Sequence, residues 1–431
     1  MSTSQPDALS RALLDGQRTH RLPSVSAAVY LGSEVVWTEA LGVADDGGST
    51  PTAETQYRIG SITKTFTAAS VLLLHEEGAL ALDDPVDRHL PGVAHGRLSL
   101  RRLLAHTSGL QREPPGESWE SLRFPEGEEL LAQLGEAELV LPEATHWHYS
   151  NLAYALLGEV VAAVSGRPFS RFADERLIRP LGLARTTWES AAPAARGYYV
   201  HPYARTLVHE KDLESGATAV GSLWSTPTDL CRWADYLASL EALHRVQVMA
   251  DLDSWTAGHG LGLQLVRKGE RVFFGHGGAM PGFLAMMLGC RAERIGAAVV
   301  TNASTPSVAV ETICLELAEK ALELYAPVPD PWQPEPDPPD AIAELLGLWW
   351  EEGNPFVFWW EQGRLHARPQ DSDKPRLVSV FEAEGPDRFR VVEGRERGEL
   401  LQVVRNADGT PAKLYWATYP VTREPRTFGS D

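Results

Sequence analysis

The sequence predicts a mixed α/β (α+β) fold: a central antiparallel sheet flanked by helices and joined to a helical region, then a small antiparallel β domain. Three observations predict it. Strand patterns occupy residues 24–41 and return at residues 262–301, whereas the pattern between residues 98 and 240 is mostly helical. A proline-rich stretch and a run of short strand patterns complete the chain. We therefore expect the sheet to take strands from both ends of the large domain.

The first elements are a hairpin and a buried helix. Two β-rich runs, SVSAAVYL and EVVWTEAL, flank Gly32-Ser33, a dipeptide typical of a type II′ turn. A helix with a broad apolar face is predicted over residues 62–77, with Gly60 and Ser61 at its start.

The middle and end of the large domain are predicted to alternate between helices and strands. Candidate helices cover residues 98–105, 151–164, 168–177 and 228–240. Strand patterns follow at residues 262–266, 271–274, 284–288 and 297–301, before an amphipathic helix over residues 308–325.

A domain boundary is predicted at residues 326–340, which hold seven prolines and four acidic residues in fifteen positions. This composition is typical of a stiff, extended linker. The expected domains are therefore residues 1–325 and residues 341–431, the second a meander or small barrel of short strands.

Aromatic residues cluster in the C-terminal domain. They could bind an apolar or sugar ligand, but packing in a barrel core or against the large domain is the favoured interpretation. They are Trp349, Trp350, Phe356, Phe358, Trp359 and Trp360.

Composition excludes several classes of function. A formal net charge of −19 argues against a nucleic-acid partner, because such proteins concentrate basic residues to neutralise phosphates. No apolar run approaches the length that spans a bilayer, and residues 1–30 lack the apolar stretch of a signal peptide, so we expect no membrane partner and a cytoplasmic location. The three cysteines have unrelated spacings, which favours buried thiols in a reducing compartment.

The strongest candidate for chemistry is Ser61-Ile62-Thr63-Lys64 at a predicted helix start. Residues three apart share a helix face, so the Lys64 amine can reach the Ser61 hydroxyl. A serine hydroxyl needs a base to become a nucleophile, and a desolvated lysine with a lowered pKa can be that base. Alone, the pattern more often means a capping serine and a surface lysine, but no other of the six lysines stands three residues after a serine.

Tyr149-Ser150-Asn151 is the second candidate, in a loop that enters a helix. A phenol near two cationic groups can ionise below its usual pKa of about 10 and transfer a proton. The Asn151 amide can hydrogen-bond a substrate carbonyl. The plain alternative is a tyrosine that anchors a loop and an asparagine that caps a helix.

Gly275-His276-Gly277-Gly278-Ala279 is the third candidate, after the strand pattern RVFF. Glycines at a strand edge allow close backbone approach, so a backbone N–H there could form one arm of an oxyanion hole, with the nucleophile's own N–H as the other. His276 could polarise or position an acyl group. A glycine-rich turn with an incidental histidine is the alternative.

In this order, the three motifs resemble those of the serine β-lactamase and penicillin-binding-protein superfamily. The resemblance is greatest to the branch of class C β-lactamases, DD-peptidases, D-aminopeptidases and related esterases. It extends between the motifs, over roughly residues 22–324, in segments such as YRIGSITKTFTAASVLLLHEEGALALDDPV, LSLRRLLAHTSGL and GSLWSTPTDL. It implies a β-lactamase/transpeptidase-like sandwich for the large domain. The C-terminal domain resembles the lipocalin-like domains that follow some D-aminopeptidases.

The resemblance also implies roles for individual residues. Ser61 would be the acylated nucleophile, Lys64 and Tyr149 the proton-transfer pair, and Asn151 a contact to a substrate amide. The N–H groups of Ser61 and Ala279 would form the oxyanion hole. Which of Lys64 and Tyr149 takes the first proton stays open, because the two would titrate as a coupled pair.

One departure from the family pattern affects the expected substrate. Many members carry Lys-Thr-Gly where this chain has His276-Gly277-Gly278, a pattern of the esterase and aminopeptidase members. A mostly neutral histidine suits a substrate without a carboxylate better than a permanent cation does. We therefore expect a serine hydrolase for a small ester, amide or peptide substrate rather than an efficient β-lactamase. A slowly deacylating penicillin-binding sensor and an acyltransferase remain alternatives, and the oligomeric state stays open.

Other patterns are set aside. His146-Trp147-His148 lacks a third ligand at metal spacing, so neither a metal nor a cofactor is predicted. His106-Thr107-Ser108 belongs to a loop that is structural in the resembled family, and no catalytic role is predicted for it. An α/β-hydrolase site would need a G-x-S-x-G elbow, and the sequence contains none.

Overall fold

The structure is a computed structural model that describes residues 7–325 and 331–427. The chain divides into two compact units, Met1–Pro327 and Val328–Asp431, each with its own hydrophobic core. None of the helices within the described ranges is both long and apolar enough to cross a lipid bilayer.

The first unit is built on an eight-stranded antiparallel sheet in the order β2-β1-β12-β11-β10-β9-β8-β7. Two short pairs, β3 with β6 and β4 with β5, lie outside it. The strands are β1 (Ser24–Leu31), β2 (Glu34–Gly42), β3 (Tyr57–Arg58), β4 (Tyr198–Val200), β5 (Leu207–His209), β6 (Trp224–Ser225), β7 (Val248–Met249), β8 (Ala257–His259), β9 (Gln264–Lys268), β10 (Arg271–Met280), β11 (Phe283–Cys290) and β12 (Ile295–Thr301).

Nine α-helices are described in this unit. They are α1 (Ala8–His20), α2 (Thr63–Glu76), α3 (Leu100–Leu104), α4 (Ser118–Ser121), α5 (Gly127–Gln133), α6 (Asn151–Ser165), α7 (Phe169–Ala173), α8 (Pro227–Ser239) and α9 (Ala309–Tyr325). A 3₁₀ turn, Gly60–Ile62, leads directly into α2.

Strand β1 shows how the sheet is covered on both faces. Successive side chains of a strand point to opposite faces. Val25, Ala27 and Val29 pack in the core that contains α1 and α9, whereas Ala28 and Tyr30 pack in the core that contains α2, α6 and α8. The strand is therefore buried on both faces, and its side chains do not alternate between buried and exposed.

The fold class and most elements agree with the sequence prediction. The hairpin turns at Gly32 with φ +57°, and the strands of the sheet come from both ends of the unit. Helix α1 was not predicted, although its Leu9, Ala12 and Leu13 are buried. It packs closely on α9: a β-carbon added at Gly16 would lie 2.5 Å from Cγ1 of Ile313.

Two predicted elements have different bounds in the structure. The strand predicted at residues 271–274 continues to Met280, so the glycine-rich motif lies within β10 rather than in a turn. The helix predicted over residues 168–177 is α7 followed by a π-helical turn, Asp174–Ile178.

The second unit is a closed eight-stranded antiparallel barrel in chain order, preceded by helix α10 (Asp340–Ala343). Its strands are β13 (Gly347–Glu351), β14 (Asn354–Glu361), β15 (Arg364–Pro369), β16 (Ser379–Gly385), β17 (Arg388–Glu393), β18 (Leu400–Arg405), β19 (Pro411–Trp416) and β20 (Tyr419–Thr422). The predicted aromatic core is confirmed for Trp349 and Phe358, with Phe356 and Trp360 packed against it. Trp350 and Trp359 are half-buried outside this core.

Candidate active site

Ser61 and Lys64 lie at the junction of the 3₁₀ turn and α2. The Nζ of Lys64 is 3.1 Å from the Oγ of Ser61 and 3.0 Å from the backbone oxygen of Val220. Lys64 has no exposed surface, whereas Ser61 is half-buried and faces a cleft. The sequence-predicted pair is therefore in hydrogen-bond contact, with the amine beneath the hydroxyl.

Burial controls the electrostatics of Lys64. It holds the pKa of the amine well below its usual value; the negative charge of Glu113 opposes this shift, and the positive charge of Arg112 adds to it. Removing a charge from water favours the neutral form of an amine. A neutral amine 3.1 Å from a hydroxyl can accept its proton.

Tyr149 reaches the same serine from the loop before α6. Its phenol interacts with Ser61, which lowers the pKa of the phenol, and its ring centroid lies 5.1 Å from the Nζ of Lys64. Desolvation raises the pKa of the Tyr149 phenol above its usual value, although Ser61 and Arg112 act in the opposite direction. The sequence-based expectation of a lowered Tyr149 pKa is therefore wrong, because the desolvation of the phenol outweighs the nearby charges.

His106, given no catalytic role from the sequence, packs against Tyr149. The two ring centroids are 4.4 Å apart, and the Nδ1 of His106 accepts the backbone N–H of Ser150. Burial is the main reason that the pKa of the His106 imidazole lies well below its usual value, so the ring is neutral. His106 therefore fixes the loop that carries Tyr149.

Strand β10 runs close beside the turn that carries Ser61. A β-carbon added at Gly60, which has φ +49°, would lie 2.6 Å from the nitrogen of Ala279. One added at Gly278 would lie 3.2 Å from the nitrogen of Ser61. The two backbone nitrogens named from the sequence, those of Ser61 and Ala279, are thus brought to the same place by glycines that permit the approach.

His276 is buried in β10, with Gly277 half-buried beside it. The Nδ1 of His276 lies 2.6 Å from the oxygen of Gly277, so Nδ1 carries the proton and Nε2 the lone pair. Burial, and after it the charge of Lys64, lowers the pKa of His276 to about 3. Nε2 has no partner within the described residues. This position therefore offers a neutral acceptor rather than a cation.

Asn151 is the first residue of α6 but does not cap it, because the Oγ of Ser150 accepts the N–H of Ala153. Its Nδ2 donates to the Oε1 of Glu113 at 2.7 Å. Its Oδ1 is buried without a partner among the described residues. Sequence reasoning missed Glu113, because a single carboxylate in a loop carries no motif.

Most of the residues predicted for the site line one cleft of about 580 Å³. Of the residues predicted from the sequence, Lys64 lies beneath the surface. The others line the cleft: Ser61, Tyr149, Asn151, His276, Gly277, Gly278 and Ala279. Trp119, Phe124 and Trp147 add aromatic walls.

The sheet covered by helices and the contact between buried Lys64 and half-buried Ser61 agree with the family to which the chain is assigned. The chain belongs to the beta-lactamase family, whose model matches residues 9–320. A second model, a domain of unknown function (DUF7586), matches residues 338–423.

Individual relatives differ in the activities that their names give. The chain is 31% identical to the D-alanyl-D-alanine-carboxypeptidase/endopeptidase AmpH of Escherichia coli strain K12, over 44% of this chain and 51% of that protein. It is 34% identical to esterase EstB of Burkholderia gladioli, over 41% of this chain and 50% of that protein. The match thus spans about half the length of these two curated relatives.

Among solved structures, the chain is similar to a D-stereospecific amidohydrolase from a Streptomyces species. The identity is 27% and the TM-score 0.60, over 72% of this chain and 98% of that one. Peptidases, esterases and amidohydrolases are therefore all relatives of this chain.

Proposed function

We propose that the protein is a serine hydrolase that cleaves a small ester, amide or peptide through an acyl-enzyme at Ser61. The observation that carries this proposal is the contact between the buried Lys64 amine and the Ser61 hydroxyl. A lysine without exposed surface is costly to keep charged, and a neutral amine beside a serine is the base that this nucleophile requires.

In the acylation step, the Ser61 hydroxyl gives its proton to the Lys64 amine while Oγ bonds to the substrate carbonyl carbon. The carbonyl oxygen takes the electron pair, and the N–H groups of Ser61 and Ala279 donate to it. The opposite directions of the two pKa shifts favour Lys64 over Tyr149 as the first base.

Expulsion of the leaving group needs a proton, and the Tyr149 phenol is placed to supply it. The phenol interacts with Ser61, and desolvation keeps it protonated. It donates to the leaving oxygen or nitrogen and regains a proton from the Lys64 ammonium. Water then attacks the ester of Ser61 by the reverse transfers, which releases the acid and restores the serine.

The neutral state of His276 supports substrates without a carboxylate over β-lactams. A neutral imidazole with its Nε2 lone pair unpaired provides no cation for a substrate carboxylate. EstB and AmpH, similar chains, carry esterase and peptidase names, which agree with an ester, amide or peptide substrate.

Trapping the intermediate tests the proposal. Wild type is mixed with a short-chain p-nitrophenyl ester, quenched in acid during turnover and measured by intact mass and peptide mapping. An acyl group on the peptide that contains Ser61, with free acid as the product, is the expected result. An adduct that never turns over would indicate a sensor, and product carried to an added alcohol would indicate an acyltransferase; either outcome contradicts a hydrolase.

A further inference from the structure

A cavity of about 780 Å³ lies apart from the catalytic cleft, and no described residue lines both. Its walls contain two tryptophans, Trp188 and Trp224, and the arginine Arg58. Most of its other lining residues are polar or small. We call it the Arg58 cavity.

Arg58 is held in the wall by the short sheet of β3 and β6. In this sheet Arg58 pairs directly with Trp224, and its guanidinium carbon lies 4.8 Å from the centroid of the Trp224 ring. Its Nη1 makes one long contact, of 3.5 Å, to the backbone oxygen of Ser222. The strand pairing therefore keeps the guanidinium against the indole, where it is half-buried.

The guanidinium of Arg58 has no counter-charge in contact with it. No carboxylate pairs with it in the part of the chain that the structure describes, and its Nε is buried without a hydrogen-bond partner there. Burial lowers the pKa of this group, and the more distant charge of Asp212 opposes that shift. A charge that has lost water and has no partner is costly to the folded state. A ligand of opposite charge would remove that cost.

Trp188 supplies a second unsatisfied donor. It follows Thr187, which exchanges two backbone hydrogen bonds with Trp224, at 2.9 and 2.8 Å. The Trp188 ring packs edge-on against Phe169, and its Nε1 is buried with no partner among the described residues. An indole Nε1 and a guanidinium Nε can only donate. These two donors therefore need an acceptor that the described residues do not supply.

Arg58 sets the sign of the interior, although acidic residues also line the cavity. Three of them are fully exposed, so water and salt screen their charges: Glu189, Asp212 and Glu214. A fourth, Asp45, accepts the N–H of Ser49. The second arginine of the wall, Arg196, is exposed and donates to the Nδ1 of His209. The half-buried, unpaired charge is thus positive.

One segment of chain, residues 216–222, separates this cavity from the catalytic cleft. Its residues are divided between the two sides: Gly216, Thr218 and Ser222 line the cavity, and Ala217, Val220 and Gly221 line the cleft. The backbone oxygen of Val220 accepts the Lys64 amine. A ligand in the Arg58 cavity therefore lies behind the wall that holds Lys64 and does not contact Ser61.

We propose that the Arg58 cavity binds a small organic carboxylate. The carboxylate pairs with the Arg58 guanidinium, whose planar N–H groups match two carboxylate oxygens. The Trp188 N–H donates to the same ligand, and the indole rings pack against its carbon skeleton. A single negative charge matches one unpaired guanidinium, whereas a phosphate monoester carries nearly two at pH 7. This site is separate from Ser61 and does not depend on the proposed function.

Isothermal titration calorimetry with the wild-type full chain tests the proposal. The ligands are acetate, hexanoate and benzoate, compared at equal ionic strength with nitromethane, 1-nitropentane and nitrobenzene. A nitro group has the planar shape of a carboxylate but no net charge, and a hydrolase cannot cleave it. At least one carboxylate should bind about tenfold or more tightly than its nitro analogue, the effect of a hydrogen bond to a charged group. If none of the three does, the proposal is wrong.

Variants locate the carboxylate that binds. Arg58→Met removes the guanidinium but keeps an unbranched side chain, so the affinity should fall to that of the nitro analogue. Arg171→Met, on α7, is the matched control, because Arg171 is exposed and pairs with Glu175. It should bind the carboxylate like wild type. Unchanged affinity in folded Arg58→Met would contradict the proposal.

Two further variants keep the test decisive. Trp188→Phe retains a ring against Phe169 but loses the N–H, so the affinity should fall by about threefold or more even if Arg58→Met does not fold. Arg112→Met removes an arginine that lines the catalytic cleft and should bind the carboxylate like wild type. Binding lost in Arg112→Met but kept in Trp188→Phe would place the carboxylate in the catalytic cleft and overturn the proposal.

Discussion

The α-carbon of Gly278 in β10 faces the backbone oxygen of Ile59 so closely that an added β-carbon would lie 1.9 Å from it. No side chain can be accommodated at that distance without moving the strand away from the turn that carries Ser61. The contact therefore sets the spacing between the two backbone nitrogens of the proposed oxyanion hole.

Gly278→Ala should lower kcat by about 100-fold or more, the effect of losing one oxyanion donor. Ester turnover and thermal unfolding should be measured together, so that misplacement of β10 is separated from unfolding. Gly135→Ala is the control, since nothing lies within 4 Å of its added β-carbon. Full activity in folded Gly278→Ala would contradict the placement of the oxyanion hole.

Lys64→Arg should reduce kcat/KM by about 10²–10⁴, because a guanidinium stays charged and cannot accept the serine proton. In wild type, protonation of Lys64 removes the base, so activity should fall as the pH decreases through the lowered pKa of Lys64. The pH profile should thus rise to a plateau well before pH 10. Lys268→Arg is the control, because the side chain of Lys268 on β9 is half exposed and pairs with Glu319. A profile that still climbs at pH 10 would contradict a neutral Lys64.

Tyr149→Phe keeps the ring that packs on His106 but removes the hydroxyl at Ser61. A decrease in kcat of about 10²–10⁴ is expected from the loss of a proton donor. Tyr154→Phe is the comparison, because its buried hydroxyl donates to the backbone oxygen of Leu104. That variant should lose about 1 kcal/mol of stability while it keeps its activity. Equal kcat in Tyr149→Phe and wild type would remove Tyr149 from the proton path.

Buried histidines should make the first unit less stable in acid. Burial lowers the pKa of His259 to about 4, against about 6.5 in an unfolded chain. Between these values the unfolded state binds the proton and the folded state does not. The free energy of unfolding therefore decreases as the pH is lowered from 6.5 to 4, by about 3 kcal/mol for this group. His259→Phe should flatten the profile of stability between pH 6.5 and 4 by that amount. Denaturant unfolding at a series of pH values measures it, and an unchanged slope would contradict the prediction.

Much of the fold could be predicted because its signals are local. The hairpin at Gly32, the apolar pattern of α2 and the strands of the barrel follow from short-range periodicity and turn residues. Helix α1 could not be recognised as easily, because only three of its residues are buried and their partners on α9 lie about three hundred positions later in the chain.

The site residues also differ in how far local sequence signals could predict them. The spacing of Ser61 and Lys64 identified both residues, because one helical turn fixes their contact. The approach of Gly278 to Ile59 joins positions more than two hundred residues apart, so the sequence indicated flexible glycines but not what they meet. Glu113 belongs to no motif at all. The raised pKa of Tyr149 depends on how deeply the phenol is desolvated, which only the folded structure determines.

The central claim is that Ser61 is the nucleophile, and one comparison tests it most directly. The comparison uses wild type, Ser61→Ala and Ser239→Ala, a control at an exposed serine. Each protein is treated with a fluorophosphonate and its intact mass is measured by mass spectrometry. In a separate assay, turnover of a short-chain p-nitrophenyl ester is followed by absorbance. The account predicts one adduct and ester turnover in wild type and in Ser239→Ala, and neither in folded Ser61→Ala. Labelling and turnover that persist in Ser61→Ala would contradict it.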